Sequence, residues 1–232
     1  MYVCGRNVVK EYLNTDEKIL GAYVLNNFND EEILKKLRNK TNNIKYVKRE
    51  ELDRINKENH QGIVIKVEDF NYSDLDEIID GDNLIVILDH LEDPHNFGAI
   101  IRTCEAAGVN GIIIPKDRCV DVNPTVIRTS VGATRYVKIV SVTNITNTIN
   151  ELKKNGYWIV GTDMDGEDYT KIDYKGKTAI VIGNEGNGIS DLVRKNCDFI
   201  ATIPMKGQIN SLNASVASGI IIYEAVKVRN EL

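Results

Sequence analysis

Two rhythms of apolar and polar positions divide the chain. Over residues 1–67, short apolar runs alternate with charged stretches whose apolar positions recur every three or four residues. The runs GAYVL (21–25), IKYV (44–47) and GIVIKV (62–67) predict strands, being short and rich in β-branched residues. GRNVVKEYL, which follows a glycine turn, DEEILKKLRNK (30–40) and EELDRIN (50–56) predict helices. The second of these opens on acids and closes on bases, as the helix dipole favours. Together they predict a small α/β unit. Residues 68–83, EDFNYSDLDEIIDGDN, are acidic and lack a buried-strand pattern, so they read as a linker followed by a short helix.

From residue 84 the rhythm becomes regular β-α alternation. LIVIL (84–88), GIII (111–114), YVKIV (136–140), YWIVGT (157–162), AIVIG (179–183) and FIATI (199–203) are continuously apolar. That character suits strands covered on both faces of a parallel sheet. Helical stretches separate most of them, among them NFGAIIRTCEAAG, ITNTINELKKNG and SLNASVASGIIIYEAVKV. The expectation is a doubly wound α/β domain, whose ligands lie beyond the carboxyl ends of the strands. The loops after 88, 183 and 203 are therefore the informative ones.

Composition narrows the classes. With 232 residues and 42% apolar content, the chain can bury a core and divides into one large or two small domains. No run of eighteen apolar residues argues for a membrane span, and the first residues lack a signal-peptide core, so a cytoplasmic protein is expected. Cys4, Cys104, Cys119 and Cys197 form no C-x-x-C pair. The histidines are His60, His90 and His95, so neither a metal site nor a disulfide framework is expected. The net charge of -5 excludes a bulk polycation. Residues 1–72 carry 13 Lys and Arg against 12 Asp and Glu, while the remainder carries 16 against 22. Any nucleic-acid binding must rest on local patches.

The first informative loop, LDHLEDPHNFGAIIRTCEAAG, predicts a helix entered near Asn96, whose side chain can cap it. Phe97, Ile100, Ile101 and Cys104 make its core-facing stripe, and Arg102 falls off that stripe. By periodicity alone Arg102 reads as a solvated charge. In the second loop, AIVIGNEGNGIS, Gly183, Gly186 and Gly188 alternate with Asn184, Glu185 and Asn187. Glycines allow a ligand close to the backbone. The spacing is neither G-x-G-x-x-G nor a P-loop, which disfavours a Rossmann dinucleotide site and a nucleotide triphosphatase. In the third, FIATIPMKGQINSLNASVASGIIIYEA, Ser211 is the expected cap of the last helix and Asn213 lies in its first turn, an uncomfortable interior position for asparagine.

In order and spacing these three segments resemble the SpoU-type, TrmH-like family of RNA ribose 2′-O-methyltransferases. HNFGAIIRT is similar to the family's first motif, VIGNEGNGIS to its second and IPMKGQINSLNASVASGIIIYEA to its third. GRNVV and NHQGIVIKV (59–67) resemble the small RNA-binding domain of the RlmB-like members, which methylate a guanosine ribose of 23S ribosomal RNA. The resemblance implies an RNA-binding α/β domain over 1–72, a linker over 73–83 and a catalytic domain over 84–232. The catalytic domain is expected to be a parallel α/β sheet with a C-terminal trefoil knot, a feature that ordinary chain topology would argue against. It also implies S-adenosylmethionine as cofactor, no metal, and a homodimer. Methylation of another ribosomal or transfer RNA nucleotide, or RNA binding without catalysis, are the alternatives.

Carried over residue by residue, the resemblance makes Arg102 the main catalytic residue. Asn96, Glu185, Ser211 and Asn213 would orient the ribose, the arginine and the cofactor. Gly183, Glu185, Gly186, Ile203, Met205 and Leu212 fall on the cofactor-binding positions. RNA-contact candidates are Arg6, Asn7 and Lys10 in the GRN turn and helix, with Arg118 and Arg128 further along.

Overall fold

A computed structural model of the chain describes all residues except Glu58, Glu185, Ile209, Asn210 and 230–232. Two compact units emerge, Met1–Asn71 with Val122–Gly132, and Tyr72–Asp121 with Ala133–Leu232.

The first unit opens with β1 (Tyr2–Cys4), a strand too short to register in the apolar pattern, followed by α1 (Arg6–Leu13) and β2 (Ile19–Leu25). Then come α2 (Glu31–Lys40), β3 (Ile44–Val47), α3 (Arg49–Ile55) and β4 (Ile63–Val67). The sheet order is β1-β4-β2-β3, with β2 and β3 parallel and the other neighbours antiparallel. Asp30 caps α2 by accepting from Ile33 N at 3.2 Å. The faces turned to the sheet bury Val8, Val9 and Tyr12 from α1 and Ile33, Leu34 and Leu37 from α2. Leu52 of α3 packs with Cys4, Val47 and Val64 in a core cluster of its own.

The second unit contains α4 (Asp76–Ile79), β5 (Leu84–Leu88), α5 (Pro94–Ala106) and β6 (Gly111–Pro115). The next helix, α6 (Pro124–Thr129), belongs to the first unit. The second unit continues with β7 (Lys138–Val142), α7 (Ile145–Lys154), β8 (Trp158–Asp168), β9 (Thr178–Ile182), α8 (Asp191–Lys195), β10 (Phe199–Thr202) and α9 (Ala214–Val228). Its six strands run in the order β10-β8-β9-β5-β6-β7, every neighbouring pair parallel. All five residues of β5, β6 and β9 are buried, as a sheet covered on both faces requires. Ile78, Ile79, Ile87, Ile149, Leu152 and Ile159 are among the residues of its core.

Three boundaries differ from the sequence pattern. Strand β7 starts two residues later than the apolar run, because Ala133–Arg135 forms a turn of 3₁₀ helix ahead of it. Strand β8 runs on through the polar DMDGED, since the edge strand β10 pairs with it, Ala201 opposite Glu167 and Thr202 opposite Asp168 after a register shift. The acidic stretch after residue 71 is tied to the second unit. Ser73 N donates to Ile139 O at 2.8 Å, and Ile78 and Ile79 are buried. Among the described residues no helix is long and apolar enough to cross a membrane.

Candidate active site and RNA-contact cleft

The carboxyl ends of β9 and β10, with the middle of β8, frame a cleft of about 800 Å³ in the second unit. Its floor is the loop after β9, with Gly183, Asn184, Gly186, Asn187 and Gly188. Gly183 is required by packing. A Cβ there would stand 2.1 Å from Gly188 C and 2.3 Å from Ile189 N, closer than any real side chain approaches backbone. Asn184 and Gly188 exchange both backbone hydrogen bonds at 3.0 Å, folding the loop back on itself. Ile203, Pro204, Met205 and Leu212 supply an apolar wall, and Ser211 lies beside them. The small residues Ala214 and Ala217 on α9 keep the near side open.

The same cleft holds residues that the pattern did not single out. Thr162, Asp163 and Met164 enter from β8. Arg194 on α8 pairs with Asp163 and reaches Asp165 Oδ1 at 3.1 Å, so the Asp163 carboxylate has a fixed position. The rule that ligands sit at strand carboxyl ends would have found Thr162 and Asp163, had β8 been included among the informative loops.

Two caps differ from expectation. Helix α5 starts two residues before Asn96, because Pro94 suits the first helical position. Asp93 accordingly caps it, accepting from His95 N at 2.6 Å and Asn96 N at 3.1 Å. Ser211 does not cap α9. It lies outside the helix, and Asn213 takes the role, accepting from Ser215 N at 3.0 Å and Ser215 Oγ at 2.6 Å. Asparagine is a favoured cap, which removes the discomfort of placing it inside a helix.

Because Asp93 is the cap, the Asn96 side chain turns to a different element. Its Oδ1 accepts from Asn213 Nδ2 at 2.9 Å, joining residues 117 apart in sequence across the packed helices α5 and α9. Arg102 is exposed on α5 and makes no hydrogen bond or ion pair among the described residues. Its six-residue separation from Asn96 turns it about 120° round the helix. It therefore flanks the Asn96–Asn213 contact and does not point along it. Gly183, Gly186, Ile203, Met205, Ser211 and Leu212 line one cleft, whereas Arg102, Asn96 and Asn213 are not among its lining residues. Glu185 lies outside the described residues.

Three of the cysteines offer no activated nucleophile. Burial pushes the Cys104 thiol far up, that of Cys119 to about 12 and that of Cys197 to about 11. A thiol held protonated is unreactive.

In the first unit a second cleft, about 570 Å³, is lined by Arg6, Phe28, Arg49, Lys57, His60 and Gln61, among others. Gly5 precedes α1 at φ 97, which a side chain would oppose, so it cannot cap with one. Gln61 Oε1 supplies the missing acceptor to Arg6 N at 2.8 Å. The Arg6 guanidinium lies 4.8 Å from the Phe28 ring centroid, and its Nε donates to Gln61 O at 3.4 Å. His60 Nε2 pairs with Asp53 Oδ1 at 2.8 Å while its Nδ1 accepts from Gly62 N at 3.0 Å. The stretch 59–62 thus builds the wall that presents Arg6. Asn7 is exposed, and Lys10 pairs with Asp30 at 3.6 Å. Arg118 is exposed in the second unit with φ 51, and Arg128 closes α6 in the first.

The site is thus a glycine-floored cleft at a parallel sheet's carboxyl edge, with two asparagines joining the helices beside it. Residues 83–223 match the model of the SpoU rRNA methylase family, and residues 2–73 match that of RNA 2′-O ribose methyltransferase substrate binding. The chain belongs to the SpoU family and is an S-adenosylmethionine-dependent RNA methyltransferase. It is 39% identical to the putative TrmH family tRNA/rRNA methyltransferase YacO of Bacillus subtilis, over 99% of this chain and 96% of that one. It is 41% identical to a putative TrmH family tRNA/rRNA methyltransferase of Staphylococcus saprophyticus, over 98% and 96%. Among solved structures, the SpoU methyltransferase AviRb of Streptomyces viridochromogenes, in complex with AdoMet, matches with TM-score 0.86 and 28% identity, over 100% of this chain and 91% of that one. The AdoMet-bound rRNA methyltransferase of Sinorhizobium meliloti matches with TM-score 0.83 and 28% identity, over 97% and 86%.

Proposed function

We propose that the protein methylates a ribose 2′-hydroxyl of RNA, with a guanosine of 23S ribosomal RNA as substrate. The observation that carries this reading is the Asn96–Asn213 hydrogen bond beside the glycine-floored cleft, because it brings the first and third motifs together at one place. The cleft suits S-adenosylmethionine. Ile203 and Leu212 can flank an adenine, and the bare backbone at Gly183 and Gly186 can approach it. When bound, the cofactor supplies an electrophilic methyl group on a cationic sulfur. Transfer of that methyl to the ribose oxygen would leave the sulfur as a neutral thioether and pass the hydroxyl proton to solvent.

Within this reading Arg102 grips the phosphate next to the target ribose and steadies the oxygen as it loses its proton. A guanidinium stays protonated, so it is suited to holding charge and not to accepting the proton. Its exposure and lack of a described partner leave all its donors available. Asn96, held by Asn213, would fix the ribose, and Ser211, which lines the cleft, would help hold the cofactor's amino-acid end. Glu185 is assigned with them by its place in the motif.

RNA contacts are assigned to Arg6, Asn7 and Lys10 on the first unit, with Arg118 and Arg128. The polar cleft around Arg6 supports this assignment, since stacking on Phe28 holds one face of the guanidinium and leaves an edge for phosphate. A homodimer formed through α9 fits its apolar outer positions, Val216 and Tyr223, which are 51% and 41% exposed. The C-terminal trefoil knot belongs to the same reading, as the family resemblance implies. A cytoplasmic location follows from the ribosomal substrate. Methylation of transfer RNA is the second reading, favoured by the tRNA/rRNA names of the relatives.

Supplying methyl-labelled S-adenosylmethionine with ribosomal or transfer RNA tests the assignment. Label in a nuclease-resistant 2′-O-methyl dinucleotide from 23S RNA is the expected product. Label on a base would overturn the ribose assignment, and label in transfer RNA alone would favour the second reading.

A further inference from the structure

The cleft floor is fastened to a segment that none of the three motifs includes. Asp89 follows β5 directly and is 1% exposed. Its N donates to Ile182 O at 2.8 Å, extending the β5–β9 pairing by one residue. Its carboxylate is divided between two tasks. Oδ2 accepts from Ser190 N at 2.7 Å, and Oδ1 meets His90 Nδ1 at 2.6 Å. His90 has φ 61, a left-handed conformation that costs a non-glycine residue about 1 kcal/mol or more. Such strain persists only where neighbours enforce it, and here two contacts do. The ring is held by Asp89, and the carbonyl accepts from Asn184 Nδ2 at 2.8 Å. Asn184 Oδ1 in turn accepts from Gly186 N at 2.9 Å.

The floor loop is thus pinned at both ends by consecutive residues. His90 holds its start through Asn184, and Asp89 holds its finish through Ser190. Those two residues lie three and four positions before Asp93, the cap of the helix that carries Asn96 and Arg102. The intervening Leu91 is fully buried, and its carbonyl accepts from Val120 N at 2.9 Å, so the lead into α5 is itself fixed.

We infer that Asp89, His90 and Asn184 form a positioning clamp that holds the cofactor-binding floor in register with the catalytic helix. None of the three needs to touch reacting atoms. The working parts are the Asp89 carboxylate, the His90 carbonyl and the Asn184 amide. The His90 imidazole serves to hold the strained backbone that aims the carbonyl. The inference rests on the cofactor occupying this cleft, and binding by the unaltered protein checks that separately.

The test separates donor from shape. Asn184→Asp keeps the oxygen that accepts from Gly186 N but replaces the donor to His90 O with a second oxygen. His90→Gly keeps the carbonyl and adopts φ 61 without strain. Affinity is measured by calorimetry with S-adenosylhomocysteine, whose sulfur carries no charge to be attracted by the new carboxylate. Losing the donor and leaving an acceptor unpaired is expected to weaken binding about tenfold. His90→Gly is expected to stay within about threefold of the unaltered protein. In methyl transfer, Asn184→Asp should raise the KM for cofactor and lower kcat, with the KM for RNA unchanged. Full affinity in Asn184→Asp would overturn the clamp. So would equal losses in both variants, because the imidazole and not the carbonyl would then be the working part. If Asn184→Asp does not fold, Asn184→Ala, which has no side-chain donor, is read against the same two outcomes.

Discussion

Replacing Asn213 separates a structural role from a positioning one, because its two side-chain atoms face different partners. Oδ1 caps α9, accepting from Ser215 N at 3.0 Å and Val216 N at 3.4 Å, while Nδ2 donates to Asn96 Oδ1 at 2.9 Å. Asn213→Ala removes both. Loss of the cap costs about 1 kcal/mol. The exposed bridge to Asn96 adds about 0.5 kcal/mol, the low end for a hydrogen bond. A total near 1.5 kcal/mol lowers Tm by about 3–6 °C for a chain of this size. Asn213→Asp keeps the cap and places an anion at a helix N-terminus, which is favourable by about 0.3–1 kcal/mol. Its Tm should match the unaltered protein. Asn96 can meet the new carboxylate only by turning its amide over, which presents the opposite group to the ribose. Methyl transfer should therefore fall about tenfold or more, equivalent to about 1.4 kcal/mol in the barrier. Thermal melts and a labelled-methyl assay read the two effects. Asn213→Asp that transfers at full rate, or that melts as early as Asn213→Ala, would refute this division of labour.

Other outcomes follow from the same geometry. Arg102→Ala should bind S-adenosylmethionine with unchanged affinity in calorimetry and lose methyl transfer by about 100-fold or more, the scale of removing one preorganised charge-stabilising group; retained transfer would remove its catalytic role. Gly183→Ala must push a methyl into Gly188 and Ile189 backbone, so it should melt lower by the equivalent of about 1–3 kcal/mol and lose cofactor binding; an unchanged melt would show that the loop yields. Arg6→Ala should weaken RNA binding and reduce the salt dependence of log affinity by about one phosphate contact, leaving cofactor binding intact; an unchanged salt slope would place the contact elsewhere. The raised thiols give a pH dependence. Unfolding lets Cys197 and Cys119 release protons that the folded state retains, so stability is full below the ordinary thiol value of 9.0 and falls as pH rises towards about 11 and about 12. Denaturant melts across that window check the sign, and stability rising with pH would contradict it.

Much of the architecture could be read from periodicity because buried parallel strands are continuously apolar, and β3 and β5 begin and end where their apolar runs do. What could not be read depends on tertiary pairing. The polar end of β8 is a strand because β10 lies beside it, and β1 holds its place through β4. The two helix caps were misplaced for a local reason. Asp93, Asn96, Ser211 and Asn213 are all competent caps, and only the start of the helix chooses among them. The glycines of the second loop advertised a close backbone approach, and Gly183 makes one. Asp89 and His90 carried no comparable signal. A buried carboxylate beside a left-handed histidine has no periodic signature, and its partners are 101 and 94 residues away in sequence. The grouping of Val122–Gly132 with the first unit was equally invisible, since Asn123 and Pro124 announce a helix start but not its neighbours.

The most direct measurement is a map of 2′-O-methylated riboses in ribosomal RNA, taken from cells with and without the gene. One guanosine of 23S RNA should lose its methyl group in the deletion, regain it when the unaltered gene is restored, and stay unmethylated with Arg102→Ala. A deletion in which every 2′-O-methyl ribose of ribosomal and transfer RNA persists would contradict methyl transfer to ribose as the function of this protein.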